Sequence, residues 1–211
     1  MDYLYCAGIG YALGCISPSY IIGKIKRIDL RKCGTKNLGA SNTFLNFGRA
    51  WGTFVLLFDI FKAFIAVKIA GLWFYDIMIS GILAGCFAVI GHNYPFYIGF
   101  KGGKGLASYS GLVLAIDPKL FVMLLLLCVF LSVLLNYGCV IALSATLLFP
   151  ILLGISGADV YTFTIAVVCS ASVFFKHTEN IKRIKNGEEN KLSSFIEKYI
   201  LKITGENKNR S

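Results

Sequence analysis

Long apolar stretches separated by short polar segments dominate the pattern of the 211-residue chain. About 20 apolar residues in a helix cross a typical hydrocarbon core, and shorter helices are accommodated by local thinning of the bilayer. The pattern therefore predicts an all-α integral membrane protein with seven transmembrane helices. The predicted spans are residues 3–22, 50–74, 77–90, 106–116, 120–135, 139–155 and 160–175.

The chain divides into two predicted parts at about residue 192. Residues 1–192 make up the membrane domain, and residues 193–211 form a C-terminal extension. Within the extension, apolar side chains recur at the spacing of an amphipathic helix: Phe195, Ile196, Tyr199, Ile200 and Ile203. Such a helix could lie in the membrane interface or dock on another protein, and we expect the polar end of the chain to be disordered.

Composition supports a membrane environment and excludes several classes of protein. Hydrophobic residues make up 56% of the chain and charged residues only 15%, whereas soluble domains carry about 25% charged residues. The high apolar content also excludes an intrinsically disordered protein. The seven cysteines form no CxxC pair and none lies at ligand spacing from a histidine, so we expect neither a metal site nor a disulfide framework.

The placement of basic residues predicts the orientation of the chain in the membrane. Eighteen of the 21 Lys and Arg residues lie in residues 24–50, 92–105 and 176–211. Seven crossings place these segments on one side, which the positive-inside rule identifies as the cytoplasm. The N-terminus is then outside and the C-terminus cytoplasmic. Charge divided among separate segments does not form the basic face of a nucleic-acid-binding protein, so nucleic acid is not an expected partner.

The first basic segment contains a loop, residues 29–42, whose composition favours anion binding. Its glycines allow the backbone to turn with positive φ. Thr35, Asn37 and Asn42 offer hydrogen-bond donors, and Lys36 supplies positive charge. An ordinary solvated loop beside a membrane would also be basic, but would rarely combine glycine and amide residues in this way. We therefore expect a ligand site here.

The second basic segment contains the sequence KGGKG, residues 101–105. Backbone N–H groups of Gly102 and Gly103 can approach an oxyanion closely, Lys101 and Lys104 carry positive charge, and a helix is predicted to begin just after them. These features predict a phosphate-binding loop. It is not a Walker A loop, because a glycine stands where magnesium would need a hydroxyl. The alternative is a glycine turn with basic anchors.

Two further polar groups lie at the ends of predicted helices. Ser17 precedes Pro18, which cannot donate a helical hydrogen bond, so the Ser17 hydroxyl either satisfies a freed carbonyl or faces a ligand. His177 and Asn180 follow the last span and lie one turn apart on one helix face. A histidine at a water boundary suits proton transfer, and an inert structural histidine is the alternative.

The second predicted span contains two charged residues, Asp59 and Lys62, three positions apart. Charges are costly in hydrocarbon unless they pair or face the interior of a helix bundle. We therefore expect them to pair with each other.

Taken together, five motifs resemble the bacterial acyl-phosphate-dependent glycerol-3-phosphate acyltransferases in order and spacing. The motifs are SPS, DLRKCGTKNLGASN, DIFK, GHNYPFYIGFKGGKGLAS and KHTENIKRIKNGEE, and the resemblance extends over residues 14–192. It implies a multi-pass enzyme of the bacterial inner membrane with its active site facing the cytoplasm. The implied reaction moves a fatty acyl group from acyl phosphate to the 1-hydroxyl of sn-glycerol 3-phosphate, giving lysophosphatidic acid and phosphate. The resemblance implies no cofactor and no metal, and we expect a monomer.

The resemblance also implies roles for the candidate residues. Lys104, with the amides of Gly102 and Gly103, would stabilise phosphate and developing negative charge. His177 would orient the attacking hydroxyl or take its proton, with Asn180 fixing the geometry, although a phosphate oxygen could equally accept that proton. The implied substrate-binding residues are Ser17, Thr35, Lys36, Asn37, Asn42, Lys101, Gly102 and Gly103.

The sequence departs from the family pattern at a few positions. A basic residue of the family falls on Leu45, and two expected serines fall on Cys139 and Ala142. We expect Lys36 to supply part of the charge missing at Leu45, although a point charge replaces a bidentate guanidinium incompletely. These departures also allow an alternative, a divergent paralogue with a different acceptor or no catalysis.

Overall fold

Helices form nearly all the regular structure in the described part of the chain. The computed structural model describes residues 1–194 and 197. Their α-helices are α1 (Asp2–Cys15), α2 (Pro18–Ile25), α3 (Ala40–Phe47), α4 (Arg49–Trp73), α5 (Ser80–Asn93), α6 (Leu106–Ile116), α7 (Pro118–Leu135), α8 (Val140–Ile155), α9 (Val160–Lys176) and α10 (Thr178–Lys185). A 3₁₀ turn, Phe96–Ile98, lies between α5 and α6. The all-α prediction is confirmed for these residues, whereas the predicted amphipathic extension lies almost entirely outside them.

The first predicted span is divided into two helices, α1 and α2. The break falls at Ile16 and Ser17 because Pro18, the first residue of α2, has no N–H to continue the helical ladder. Ser17 caps α2, and its Oγ accepts a hydrogen bond from the backbone N–H of Tyr20 at 3.4 Å. Ser17 therefore satisfies a backbone N–H at the break in the apolar segment, whereas the sequence predicted that it would satisfy a freed carbonyl or face a ligand.

The other six predicted spans coincide with α4 to α9, with shifts at their ends. The largest shift is in α5, which was predicted at 77–90 and continues to Asn93. His92 and Asn93 extend the helix beyond its last apolar residue because both side chains are buried and find partners inside the protein. The Asn93 amide donates to the Ser172 hydroxyl at 3.2 Å, and the His92 ring contacts Lys62.

Two short helices flank the spans on the side of the basic segments. The spacing of His177 and Asn180 predicted helical structure after the last span, and α10 confirms it. By contrast, the expectation that residues 29–42 form only a loop is wrong, because α3 begins at Ala40. Its eight polar and apolar residues are stabilised by tertiary packing, in which Phe44 contacts the backbone position of Gly52 in α4.

Several helices have the length or surface expected of membrane spans. In the described part of the chain, Asp2–Ile25 (including its break) and Pro118–Leu135 are long and apolar enough to cross a bilayer, and α9 with α10, bent by 46°, qualifies as a pair. α6 and α8 are apolar but shorter. The outer face of α7 exposes Leu126, Phe130 and Leu134, each to more than 60%. An apolar surface of this kind fits lipid tails better than water.

α5 lies at the centre of the bundle and packs on α1, α4, α6 and α9. The main apolar core beside it includes Tyr109, Leu112, Phe149 and Val173, which are all nearly inaccessible. The Tyr109 hydroxyl shares a hydrogen bond of 2.6 Å with the hydroxyl of Ser170, so its polar end is satisfied inside the core. The polar residues at the end of α5 are therefore held by neighbours on several sides.

α1 and α5 approach so closely that their backbones touch. Gly10 and Gly14 of α1 face the backbones of Ala84 and Ala88 of α5, and a Cβ at either glycine would overlap the opposing carbonyl. Small residues spaced four apart allow this close packing between membrane helices, where van der Waals contact replaces the hydrophobic effect as the driving force.

We expect Gly14→Ala to destabilise the protein by about 1–3 kcal/mol, because the new methyl group collides with the carbonyl of Ala88. The matched control is Gly8→Ala on the same helix, where no atom lies within 4 Å of the new methyl group. Thermal unfolding of the purified protein in detergent measures the difference. Equal midpoints for the two variants would show that the α1–α5 contact does not limit stability.

Candidate active site

The KGGKG loop is hydrogen-bonded to the last carbonyl groups of α5. The N–H of Gly103 donates to the carbonyl of His92 at 3.0 Å, and the N–H of Gly102 donates to the carbonyl of Asn93 at 3.2 Å. The last carbonyls of a helix lack intrahelical partners, and the loop supplies them. Both amides are therefore already bonded within the protein, and their role as oxyanion donors stays a prediction.

The glycines of this loop are required for close packing. A Cβ at Gly102 would overlap the His92 carbonyl oxygen, and a Cβ at Gly103 would overlap Nε2 of the His92 ring. Gly105 has a φ of 87° and is the N-cap of α6, so it turns the chain from the loop into that helix. The glycine pattern thus places Lys104 directly before a helix N-terminus.

The N-terminus of α6 offers amides that the loop itself does not. The first helical backbone bond accepted by Gly105 comes from Tyr109 at 2.8 Å, so the preceding amides of Leu106, Ala107 and Ser108 have no intrahelical acceptor. Free amides and the positive end of the helix dipole favour an anion at this position. Lys104 stands beside them.

Lys104 joins the loop to the segment after the last span. Its Nζ donates a hydrogen bond of 2.5 Å to Oδ1 of Asn180, and Nδ2 of Asn180 donates to Oε1 of Glu189 at 2.7 Å. Oε2 of Glu189 accepts from Nε of Arg183 at 2.6 Å. A continuous series of polar contacts therefore links Lys104, Asn180, Glu189 and Arg183. It brings together two segments that are separated in sequence by the four helices α6 to α9.

The charges around the Lys104–Asn180–Glu189–Arg183 contacts favour an incoming anion. Burial lowers the pKa of Lys104, the positive charge of Arg183 lowers it further, and the carboxylate of Glu189 opposes the shift. The Lys104 ammonium is partly removed from water, so its attraction to a phosphate is less screened than at an exposed site. Asn180, held by Glu189, keeps the ammonium in place.

Glu189 and Arg183 were not among the predicted site residues. The fold brings Glu189 back onto α10 because Gly187 adopts a φ of 71° just after the helix. A glycine followed by acidic residues directly after a basic helix is a signal for this reversal, but it resembles many solvated helix ends. Only the contact with Asn180 gives Glu189 a role at the site.

His177 lies where α9 ends and α10 begins, and it is buried. Its Nδ1 lies 2.9 Å from the carbonyl oxygen of Val173. A carbonyl only accepts, so Nδ1 carries the proton and Nε2 keeps its lone pair. Burial lowers the pKa of His177 to about 4, and the positive charge of Lys104 acts in the same direction. The ring is therefore a neutral hydrogen-bond acceptor near Lys104.

The side chain of Asn42 lies inside the loop of residues 29–42 and hydrogen-bonds to its backbone. Its Nδ2 lies within hydrogen-bond distance of the carbonyls of Leu30, Cys33 and Asn37, and its Oδ1 accepts from the N–H of Thr35 at 2.9 Å. The residue is fully buried. Both ends of the Asn42 amide are therefore used inside the loop, and its contact with substrate stays a prediction.

The remaining candidates of this loop lie nearer its surface. Thr35 and Lys36 are exposed, Asn37 is half-buried, and Lys36 adopts a φ of 55°. The loop meets the KGGKG segment through Leu38, whose N–H lies 3.5 Å from the carbonyl oxygen of Gly102. The three predicted segments therefore meet at one end of the bundle.

The positions that depart from the family pattern have different surroundings. Leu45 is exposed on α3, and Ala142 is buried in α8. Cys139, the N-cap of α8, faces the polar chain: burial raises the pKa of its thiol to about 11, and the Glu189 carboxylate raises it as well. A thiol is a weaker hydrogen-bond donor than the serine hydroxyl of the family pattern, so Cys139 replaces that serine only in part. Lys101 is exposed on the rim of the loop.

A separate cavity of about 350 Å³ lies beside α2. It is bordered by the basic side chains of Lys24, Arg27 and Arg31, and Arg31 pairs with Asp29 at 2.9 Å. The Arg31 guanidinium holds the pKa of Asp29 at about 2. None of the predicted site residues, Lys104 and His177 among them, borders this cavity, although Leu38 of the 29–42 loop does. In residues 1–194 and 197, no three His, Cys, Asp or Glu side chains are grouped to hold a metal ion.

Comparisons with known proteins identify the family to which this chain belongs. A model of the glycerol-3-phosphate acyltransferase family matches residues 4–187. Curated relatives named glycerol-3-phosphate acyltransferase, from Thermosipho melanesiensis and Aquifex aeolicus, are 35% and 34% identical. Each alignment covers 90% of this chain, with 93% and 100% of the respective relative.

Solved structures of a related protein have the same fold. The crystal structure of PlsY (YgiH), an integral membrane glycerol 3-phosphate acyltransferase, in its glycerol 3-phosphate form matches with a TM-score of 0.84 and 32% identity, covering 90% of this chain and 96% of that one. The lysophosphatidic acid form matches with a TM-score of 0.82 and 31% identity, covering 90% of this chain and 95% of that one. This chain therefore belongs to the glycerol-3-phosphate acyltransferase family and is an integral membrane acyltransferase.

Proposed function

We propose that this chain transfers a fatty acyl group from an acyl phosphate to the 1-hydroxyl of sn-glycerol 3-phosphate, giving lysophosphatidic acid and inorganic phosphate. The observation that carries the proposal is the contact between Lys104 and Asn180, which places a partly buried cation beside the free amides of α6. Both substrates carry phosphate, and the acyl phosphate also has a long apolar tail. A site for anions at the edge of an apolar helix bundle suits this combination.

The chemistry needs positioning and charge stabilisation more than covalent catalysis. An acyl phosphate is an activated mixed anhydride. The hydroxyl oxygen attacks its carbonyl carbon, an ester C–O bond forms, and the bond from that carbon to the phosphate oxygen breaks as phosphate leaves. We assign to Lys104 and the first amides of α6 the stabilisation of negative charge on the departing phosphate and on the carbonyl oxygen. The exposed residues Thr35, Lys36 and Asn37, with Lys101, would form the outer part of the anion site.

His177 is better suited to orienting the attacking hydroxyl than to accepting the proton of that hydroxyl. With a pKa of about 4, its imidazole is a weaker base than a phosphate monoester, whose second pKa is about 6. We therefore assign the proton of the attacking hydroxyl to a phosphate oxygen of a substrate. The neutral Nε2 of His177 accepts a hydrogen bond from the hydroxyl, and Asn180 keeps Lys104 in place.

We also propose the orientation of the chain. Seven crossings with the N-terminus outside would put the basic segments and the active site on the cytoplasmic side of the bacterial inner membrane. The acidic residues Asp76, Asp117 and Asp159 would then lie in the outer turns. A monomer suffices for the reaction, because Lys104, His177 and Asn180 come from one chain.

The acyl donor can be tested directly with the purified full-length protein in detergent. We expect acyl phosphate and sn-glycerol 3-phosphate to yield one inorganic phosphate for each lysophosphatidic acid formed. Acyl thioesters offered in place of acyl phosphate should give no product, and glycerol should not replace glycerol 3-phosphate as acceptor. Product formation from a thioester at the same rate would overturn the proposed donor.

Lys104→Ala should lower kcat by at least about tenfold, because the cation that meets transition-state charge is lost. The matched control is Lys182→Ala, which removes an exposed lysine paired with Glu179 on α10 at the same end of the bundle. We expect the control to keep wild-type turnover. If both variants turn over at the wild-type rate, Lys104 is not part of the catalytic site.

The pH dependence of the protein's thermal stability should also reflect the protonation of His177. Because its folded pKa of about 4 lies below the unfolded value of about 6.5, the unfolded chain takes up the proton first as pH falls. Stability is therefore lost between about pH 6.5 and 4, by up to about 3 kcal/mol from this residue. His177→Asn keeps a donor for the Val173 carbonyl without titrating. Its thermal midpoint should fall less over this pH range than that of the wild type, and parallel curves would contradict the assignment.

A further inference from the structure

A second polar group is buried between α4 and α5, away from the chain of contacts around Lys104. It consists of Asp59, Lys62 and His92, which we call the buried charge cluster, and none of the three is more than 6% exposed. Lys62 Nζ lies 2.7 Å from Oδ1 of Asp59, which confirms the predicted pairing of these residues. His92 was not predicted to join them, and its Nδ1 lies 3.0 Å from Lys62 Nζ.

Lys62 joins the cluster to the break between α1 and α2. Its ammonium donates a hydrogen bond to the carbonyl oxygen of Ile16 at 2.7 Å and one to Nδ1 of His92, whereas its contact with Oδ1 of Asp59 is an ion pair without hydrogen-bond geometry. Because the nitrogen of Lys62 only donates, Nδ1 of His92 is the acceptor. The ring proton is then on Nε2, which faces the KGGKG loop.

On one side, the buried charge cluster contacts the backbone at the break between α1 and α2. Ile16 lies at this break, where Pro18 leaves backbone carbonyls without helical donors, and an unpaired carbonyl is costly in apolar surroundings. Lys62 satisfies the Ile16 carbonyl. The hydroxyl of Tyr97 donates to the neighbouring carbonyl of Cys15 at 2.8 Å, so the break is held from both sides.

The other end of the cluster supports the loop that carries Lys104. The His92 ring leaves no room for a Cβ at Gly103, and the His92 carbonyl accepts the N–H of Gly103 at 3.0 Å. The ring therefore packs directly against Gly103, the residue before Lys104, and the backbone carbonyl of His92 holds the Gly103 amide. The ring is in turn held by Lys62 and lies 3.3 Å from Asp59.

Holding a free carbonyl does not by itself require such a cluster. Lys68, two turns further along α4, donates to the carbonyl of Ala115 at 2.9 Å from an exposed position. Charges buried in a bundle interior contribute little net stability, and apolar side chains of similar size can replace them without loss. The additional Asp59 and His92 are therefore better explained by what they hold in place than by stability.

We propose that the buried charge cluster positions Lys104 for acyl transfer through His92 and Gly103. Asp59, Lys62 and His92 are then positioning residues and do not contact substrate. The cluster links the α1–α2 break to the KGGKG loop, so both keep one geometry relative to α5. This inference rests on the proposed function for its kinetic consequence, but its structural part is measurable without turnover.

The structural part is tested by hydrogen–deuterium exchange of the peptide covering residues 101–105 in the full-length protein. Lys62→Met should accelerate exchange of the Gly102 and Gly103 amides by about tenfold, because release of the His92 ring loosens the end of α5, whose backbone carbonyls accept these amides. Lys68→Met is the matched control and should leave this exchange unchanged. Unchanged exchange in Lys62→Met, or equal acceleration in both variants, would overturn the proposal.

Kinetics test whether this positioning matters for the reaction. Lys62→Met should lower kcat by about tenfold while changing the KM for glycerol 3-phosphate much less, and Lys68→Met should change neither. Faster exchange with unchanged kcat would refute a positioning role. If the wild type itself releases no phosphate from acyl phosphate, the proposed function fails, whereas the exchange result still decides the structural part.

A second variant covers the case in which Lys62→Met does not fold. His92→Gln keeps an acceptor for Lys62 through its amide oxygen but removes the ring from Gly103. We expect its thermal midpoint to stay close to the wild-type value while loop exchange and kcat change in the same directions as in Lys62→Met. Wild-type exchange and turnover in a folded His92→Gln protein would overturn the proposal.

Discussion

Two hydrogen bonds, from the amides of Gly102 and Gly103 to the last carbonyls of α5, determine the geometry of this active site. The end of a helix in apolar surroundings leaves carbonyls that need donors, and the loop leaves amides that need acceptors. Each satisfies the other. The same bonds lead the backbone directly to Lys104 and then to the N-terminus of α6, so the proposed anion site is a consequence of completing the backbone hydrogen bonding.

Lys104 shows how the protein keeps a reactive cation at the edge of an apolar bundle. Burial strengthens its attraction to phosphate but disfavours its charge, which is why its pKa is lowered. Asn180 accepts a hydrogen bond from Lys104 without neutralising its charge. Glu189 accepts a hydrogen bond from the other end of the Asn180 amide and does not contact Lys104 through a hydrogen bond. A carboxylate in direct contact would compete with the substrate phosphate, whereas an amide between the two charges holds the lysine and leaves its positive field available.

Sequence patterns indicated much of the candidate site because the relevant signals are local. The spacing of His177 and Asn180 placed them on one helix face, and the glycines around Lys104 pointed to a tight loop before a helix. The same reasoning did not reveal that the amides of Gly102 and Gly103 and the side chain of Asn42 are already bonded within the protein. Each of these groups is a good anion ligand by type, but its partner inside the protein is distant in sequence or depends on a turn that the sequence does not specify.

By itself, the sequence determined the helical class, the ends of most apolar segments and the family, since these depend on hydrophobic runs and on motifs that can be read residue by residue. Only the tertiary structure decided which polar groups are free and which are already bonded. Asp59 and Lys62 could be paired from their spacing within one helix, but His92 joins them from α5. Glu189 likewise reaches Asn180 only because Gly187 reverses the chain. The physical reason is that a hydrogen bond across helices depends on packing distances, which no local pattern contains.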